Sequence, residues 1–305
     1  MTKLMRLSRY PIVVLLLLTA VLFPAQAAQM RLGERLEYTF SYQGIFSGFM
    51  QMNIARAVFD VQPVVDTIQG RGTVLTTLNL TTEPFGKAEL LYPIRYRYRS
   101  WMEPERQAPV VVSEYLETDK ISEELLWFDR ENRLGYCFVK GDEATEVGAK
   151  PPDFLLDKAG LTEGDGPRLT QENRQEFSDE GVWDYLSLLY RLRFLDLAPG
   201  RIFELPLYNG KRIKQYQVEV SRERLELAGW NLPAFKLSLY EAWEEKRQES
   251  TTSVWVSDDE QRLPLRFYVQ RAFGDVQGIL ETGRPLTARQ DGLSEATKKS
   301  LELIF

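Results

Sequence analysis

The chain has 305 residues, 44% of them hydrophobic and 12% aromatic, with a net charge of −6; this is enough apolar material for a packed core and the wrong sign for gripping a phosphate backbone, so nucleic acid is not an expected partner. It contains no histidine and one cysteine, Cys137. That excludes an intramolecular disulfide, a His-bound zinc, and nucleophile machineries built on Ser-His or Cys-His pairs.

Residues 1–27 read as a cleavable secretory signal. Lys3, Arg6 and Arg9 precede an uncharged apolar run from Pro11 to Phe23, and Ala25-Gln26-Ala27 supplies small residues for cleavage after Ala27. The run fits a signal h-region and is shorter than the roughly 20 residues a spanning helix needs. No cysteine stands directly after it at the cleavage site, which argues against a lipid-anchored product. The expected compartment is the periplasm of a Gram-negative cell envelope. Removing the leader takes three cations with it and leaves the remainder more acidic.

Past the leader, Leu36, Tyr38, Phe40 and Tyr42 alternate within Glu34 to Ala57, interrupted by Gly44 and Gly48, as in a β-hairpin. Alternation returns at Val64 to Thr76, Leu90 to Trp101, Val110 to Leu116, Ser122 to Asp129 and Arg133 to Lys140. Turn signals sit at Pro63, at Glu83-Pro84-Phe85-Gly86, at Glu103-Pro104 and at Glu131-Asn132. Connections this short cannot make parallel crossovers, so the first half is an antiparallel meander. Gly141 to Gln175 is polar and reads as a long surface connection.

Ser178 is the expected cap of one helix carrying Val182, Trp183, Tyr185, Leu186, Leu188, Leu189, Leu192, Phe194 and Leu195, ended by Pro199-Gly200. Apolar residues cover most of its circumference, so strands should enclose it. Strands resume at Ile202 to Tyr208, turn at Asn209-Gly210, and continue through Lys214 to Val220, Leu225 to Leu227, Ala234 to Trp243, Gln248 to Val256, Leu263 to Arg271 and Asp275 to Leu280. The expectation is a mainly β protein: a large curved antiparallel sheet or open barrel with one buried helix on its concave face. Residues 28–282 form this β-rich domain, with two lobes at about 28–145 and 176–282 joined by a linker at 146–175 as an open alternative. Residues 283–305 are a polar tail ending in a short helix, Ser294 to Phe305.

Several constellations admit both a functional and a structural reading. Arg95, Arg97 and Arg99 alternate with Tyr96 and Tyr98, so one strand face presents three guanidiniums, either as a ladder for anionic groups or as a solvated face paired with carboxylates. Asp258, Asp259 and Glu260, with Asp275 further on, suggest calcium or a glycosidase pair, yet the first three also fit a hairpin turn. Cys137, between Tyr136 and Phe138, reads as a buried inert thiol. Phe40, Tyr42, Trp183, Tyr190 and Trp255 are the candidates to line a ligand cavity, or otherwise to fill the core. No metal or cofactor is expected.

Three segments together resemble a known family. Gly33-Glu34-Arg35-Leu36-Glu37-Tyr38 with Gly44-Ile45 and Ser47-Gly48 is the first; the second runs from Asp184 to Arg193. The third runs from Val254 through Asp258-Asp259 and Arg262-Leu263-Pro264-Leu265-Arg266 to Gly274-Asp275-Val276. In this order they resemble the secreted bacterial family called domain of unknown function 3108, over about Gly33 to Leu280. The resemblance implies a periplasmic, β-rich protein and defines no catalytic residues. By analogy of fold it is similar to the half-barrels that carry lipoproteins between bacterial membranes, where a curved sheet and a helix enclose an apolar cavity. The expected function is a non-enzymatic binding or carrier protein for a lipid, acyl chain or other apolar envelope component. The alternative is a structural or assembly partner of an envelope protein, acting through a surface patch or a sheet edge.

Overall fold

Side-chain alternation produces fifteen strands among the described residues. In the first half they are β1 (Arg35–Gly44), β2 (Met52–Ile68), β3 (Arg71–Thr81), β4 (Arg95–Glu103), β5 (Ala108–Glu117), β6 (Ile121–Asp129), β7 (Leu134–Lys140) and β8 (Leu169–Glu176). In the second half they are β9 (Ile202–Tyr208), β10 (Ile213–Leu227), β11 (Trp230–Trp243), β12 (Lys246–Arg247), β13 (Thr252–Ser257), β14 (Pro264–Arg271) and β15 (Gly274–Thr282). Among the described residues three α-helices accompany them, α1 (Gly86–Leu91), α2 (Asp153–Ala159) and α3 (Tyr185–Arg193), with a 3-10 turn at Ile45–Ser47. This computed structural model describes residues 30–140, 151–159, 169–178, 181–227, 229–243, 246–247 and 252–282. The leader, the polar tail and its short helix lie outside the described residues.

The strands join into one antiparallel sheet in the order β8-β7-β6-β5-β4-β3-β2-β1-β15-β14-β13-β11-β10-β9, with β12 beside β11. The two halves of the chain are stitched by β1, which pairs with β2 on one side and β15 on the other. The sheet curls until its ends approach. Asn173 of β8 donates to the carbonyls of Gly210 and Lys211 in the turn between β9 and β10. Tyr208 of β9 sits edge-on to Phe128 of β6 at 5.9 Å. Gly135 of β7 admits the Tyr208 ring, since a Cβ there would stand 2.9 Å from it. The barrel thus closes through side chains and a turn where ladder bonds stop.

Inside the curl lies α3. Leu186 and Tyr190 pack with Tyr98, Met102, Val112, Leu126 and Cys137, while Leu188 and Leu192 pack with Val218, Val220, Leu237 and Val254 on the facing wall. Fully burying each such side chain contributes about 1.5–3 kcal/mol. The helix begins later than its apolar pattern suggests. Trp183 is held extended by a parallel bridge to Leu207, and Asp184, not Ser178, is the cap, accepting from the amides of Leu186 at 2.8 Å and Ser187 at 3.3 Å. The Ser187 hydroxyl in turn accepts from the Asp184 amide at 2.9 Å, completing a capping box.

Four boundaries differ from the sequence reading. Pro63 falls in an irregularity of β2 between Val61 and Val65, where a missing N–H costs no ladder bond; the turn lies at Gln69-Gly70, both with positive φ, the hairpin-compatible twist. Leu90 belongs to α1, so β4 starts at Arg95. Leu225 to Leu227 is the end of the long strand β10 and not a strand of its own. Within the stretch taken as a surface connection, α2 packs Phe154, Leu155 and Leu156 against the outer face beside Trp101, Val111 and Leu125, and Leu169–Glu176 forms the edge strand β8.

Candidate functional site

The interior of the barrel changes character along its axis. On six strands the inward residue nearer the base is buried and the next one or two outward are half-buried: Tyr38 then Phe40 on β1, Thr76 then Leu78 and Leu80 on β3, Val218 then Tyr216 on β10, and Leu237 then Leu239 on β11. Val112 then Glu114 and Leu116 on β5, and Leu265 then Phe267 on β14, repeat the step. The reason is α3, which runs toward the base and fills only that half. At its last turn Arg193 makes two bonds to Glu34, of 2.6 and 2.7 Å, and reaches the carbonyls of Arg262 and Gln261. The other half of the barrel, its mouth, is lined by these less covered side chains and, among the described residues, is rimmed by the turns after β1, β3, β5, β9 and β14.

Polar groups sit where the two halves meet. Asp184, fully buried, accepts a bond of 2.9 Å from the Ser100 hydroxyl in addition to its capping bonds. Tyr98 donates to it, and burial, with Asp184 adding, lifts the Tyr98 phenol well above its ordinary range. Glu114 on β5 stands directly opposite Glu124 on β6. Like charges in this position repel across the ladder. Burial holds the Glu114 carboxyl above the usual carboxylate range; the Tyr96 hydroxyl bond opposes this and Glu124 reinforces it. Burial likewise raises Glu124, with Lys211 opposing and Glu172 reinforcing. The inner edge of the mouth therefore carries two carboxyls that take up protons more readily than free ones.

The five aromatic candidates do not share one cavity. Phe40 is at the mouth, stacked on Phe267 at 6.3 Å. Tyr42 is nearer the rim, its hydroxyl donating to the Phe273 carbonyl at 2.6 Å. Trp183 and Tyr190 belong to the packed half, the first with Leu197 and Leu205, the second beneath the Arg193 guanidinium at 5.2 Å. Trp255 corrects the expectation: strand alternation turns it to the face opposite Val254 and Val256. There its ring lies between Arg266 at 4.9 Å and Lys236 at 5.3 Å, and its indole N–H donates to Glu223 at 3.0 Å. It lines an outer depression of about 590 Å³ with Tyr240, Tyr268, Ser238 and Ser253.

Arg95, Arg97 and Arg99 do share the outer face of β4. Arg95 and Arg97 line an open depression of about 580 Å³ with Arg35, Arg56 and Tyr115. Arg95 is neutralised by Glu89, at 2.7 and 3.0 Å. Arg97 stacks over Tyr115 at 5.1 Å, and Arg99 lies over Trp101 and donates to Ser113 at 3.2 Å.

The carboxylates Asp258, Asp259 and Asp275 are not brought together. Asp259 accepts from the amides of Gln261 at 2.9 Å and Arg262 at 3.1 Å and from the Ser257 hydroxyl, as a turn residue does, while Asp258 pairs with Arg222 and Arg262. Asp275 pairs with Gln270 at the far end of β14, about 20 Å away along the strand. A glycosidase pair needs roughly 5–9.5 Å. Among the described residues no group of three His, Cys, Asp or Glu side chains is placed to hold a metal ion. Cys137 is buried, and burial pushes its thiol up to about 12.

Residues 37–281 match the family described as protein of unknown function, DUF3108. The chain belongs to this family. A solved structure titled as a beta-barrel-like protein of the domain of unknown function DUF1849, from Brucella abortus, is similar with a TM-score of 0.50 at 8% identity, over 84% of this chain and 98% of that one. At that identity the likeness concerns fold alone, and it agrees with a DUF3108 chain built as an open antiparallel barrel. Among curated proteins there is no match.

Proposed function

We propose that this protein is a non-catalytic periplasmic binding or carrier protein that holds the acyl portion of a lipid, or a comparable apolar envelope component, in the mouth of the barrel. The observation that supports this reading is the step in exposure on six strands: apolar side chains at Phe40, Leu78, Leu80, Leu116, Leu239 and Phe267 face inward yet remain partly exposed, because α3 stops short of them. Inward apolar surface left to water is costly unless something covers it, and a concave site lined by such residues suits an acyl chain. The second reading, an envelope assembly partner, draws support from the edge of β8, which has no ladder partner besides β7 among the described residues; the edge of β9 is partly taken up by Trp183, which exchanges backbone bonds with Pro206 and Tyr208. The polar sequence of β8, Leu-Thr-Gln-Glu-Asn-Arg-Gln-Glu, makes that edge a poor template for another chain.

The test is organic extraction of the protein purified without detergent, followed by mass spectrometry of the extract. A stoichiometric acyl-chain lipid supports the reading. A protein that carries none and also fails to bind an acyl-chain probe added in solution would overturn it.

A further inference from the structure

Around Trp255 the outer face of the sheet is stepped. One row across β11, β13 and β14 runs Lys236, Trp255, Arg266, and the next runs Ser238, Ser253, Tyr268. Two serines beside long side chains leave a hollow, the outer depression of about 590 Å³, and Tyr240, two residues beyond Ser238 on β11, also lines it. That volume lies within the range of small-molecule sites.

The floor of the hollow carries polar groups that the protein leaves without partners. Among the described residues the hydroxyls of Ser238 and Ser253 make no hydrogen bond, although Ser253 is only 7% exposed. Side-chain polar atoms this well covered are ordinarily bonded. Arg266 donates to Gln277 at 3.0 Å, but its Nε is buried with no acceptor among the described residues. Trp255 lies beneath Arg266 and Lys236 and acts as their platform, so the hollow is met by the cations and hydroxyls around it and not by the indole face.

The chemistry of this lining separates the possible occupants. Glu223 stands 3.5 Å from Lys236 and accepts the Trp255 N–H, and Asp275 accepts from the Tyr268 hydroxyl. Two cations with two carboxylates beside them give no preference for a simple ion. An acyl chain would cover the serine hydroxyls without bonding them, which is costly. A peptide strand finds no open ladder here, because β13 and β14 are paired on both sides. A saccharide suits every part: each of its hydroxyls both donates and accepts, as the serines require, and its C–H face packs on the rings of Tyr240 and Tyr268.

We infer that this hollow is a saccharide-binding site, in which the hydroxyls of Ser238 and Ser253 and the Arg266 guanidinium bond the sugar hydroxyls and Tyr240 and Tyr268 carry its apolar face. It lies on the opposite face of the sheet from the mouth and does not rest on the acyl-chain reading.

The experiment is saturation-transfer NMR titration of the purified protein with maltose, N,N′-diacetylchitobiose and glucuronate, and separately with inorganic phosphate. At least one saccharide gives a saturable signal. The double variant S238V/S253V, which removes both hydroxyls, and Tyr240→Ala, which removes one ring, each weaken it at least ~10-fold. Both alter the outer face alone, and an unchanged thermal melt shows that they fold. Absence of a saturable signal from all three saccharides would overturn the inference, as would a signal that S238V/S253V leaves unchanged. Phosphate binding without saccharide binding would also overturn it, since the hollow would then be an ion site. An acyl-chain probe bound equally by the parent and S238V/S253V shows that the mouth is a separate site, and its failure to bind either leaves the saccharide result standing.

Discussion

The ring of Phe40 covers Gly278 so closely that a Cβ at position 278 would stand 2.6 Å from two of its ring carbons. The two residues face each other across β1 and β15, the pair that stitches the halves of the sheet together, and Phe40 continues from there into a stack with Phe267. A glycine is required because the ring lies where a side chain would stand.

Replacing Gly278 by Val pushes that ring into the mouth. The expected cost is about 1–3 kcal/mol in urea unfolding, the range for overpacking. Phe40→Ala in the same chain relieves the overlap, so the double variant is less destabilised than the sum of the singles by at least ~0.5 kcal/mol. Additive effects would show that the ring does not occupy this place.

The base of the barrel is locked by Arg193 and Glu34, whose side chains are 3% and 8% exposed. Glu34→Ala leaves a buried guanidinium with only the Arg262 and Gln261 carbonyls as partners. A loss of about 3–5 kcal/mol is expected, as for other buried pairs broken on one side. Burial lowers the Arg193 pKa and Glu34 raises it to a greater combined effect, so the guanidinium stays charged and cannot escape the penalty by releasing its proton. A chemical denaturation midpoint unchanged within error would contradict this role.

Glu114 and Glu124 make stability depend on pH in a direction opposite to most carboxylates. Their folded-state pKa values lie above the ordinary value of 4.5, so the native state binds protons that the unfolded chain has released. Their contribution is whole below about 4.5 and is lost as pH rises through the folded values. Glu37, Asp66 and Glu89, lowered by Arg56, Lys158 and Arg95 respectively, run the other way, so the informative quantity is a difference between variants. Glu114→Gln, which can still accept the Tyr96 hydroxyl, is expected to raise Tm at about pH 7.5, with the gain vanishing by about pH 4. No gain at neutral pH would contradict the burial of the pair.

Much of this architecture is written locally. Alternation at Leu36, Tyr38 and Phe40 or at Tyr96 and Tyr98 sets which face each strand turns inward, and short polar connections force the meander. What is not local was read less well. Val254, Trp255 and Val256 are all apolar, so period two alone cannot say which of them faces in; Trp255 faces out because Lys236 and Arg266 meet it across the ladder. The opposition of Glu114 to Glu124 is likewise a matter of register. The strand β8 has almost no apolar period because it is an edge, and the helix starts only after Asp184 because Leu207 holds Trp183 in an extended bridge.

Titration of the parent protein and two neighbouring variants with a fluorescent acyl-chain phospholipid decides whether the half of the barrel beyond α3 accepts an acyl chain, as proposed. Leu80→Arg places a charge inside the mouth, and Asn79→Arg places the same charge one residue earlier on the outer face. Saturable binding by the parent protein is expected, unchanged in Asn79→Arg and weakened at least ~10-fold in Leu80→Arg, since an apolar site cannot cheaply desolvate a charge. Equal affinities in the two variants, or no binding by the parent chain, would contradict it.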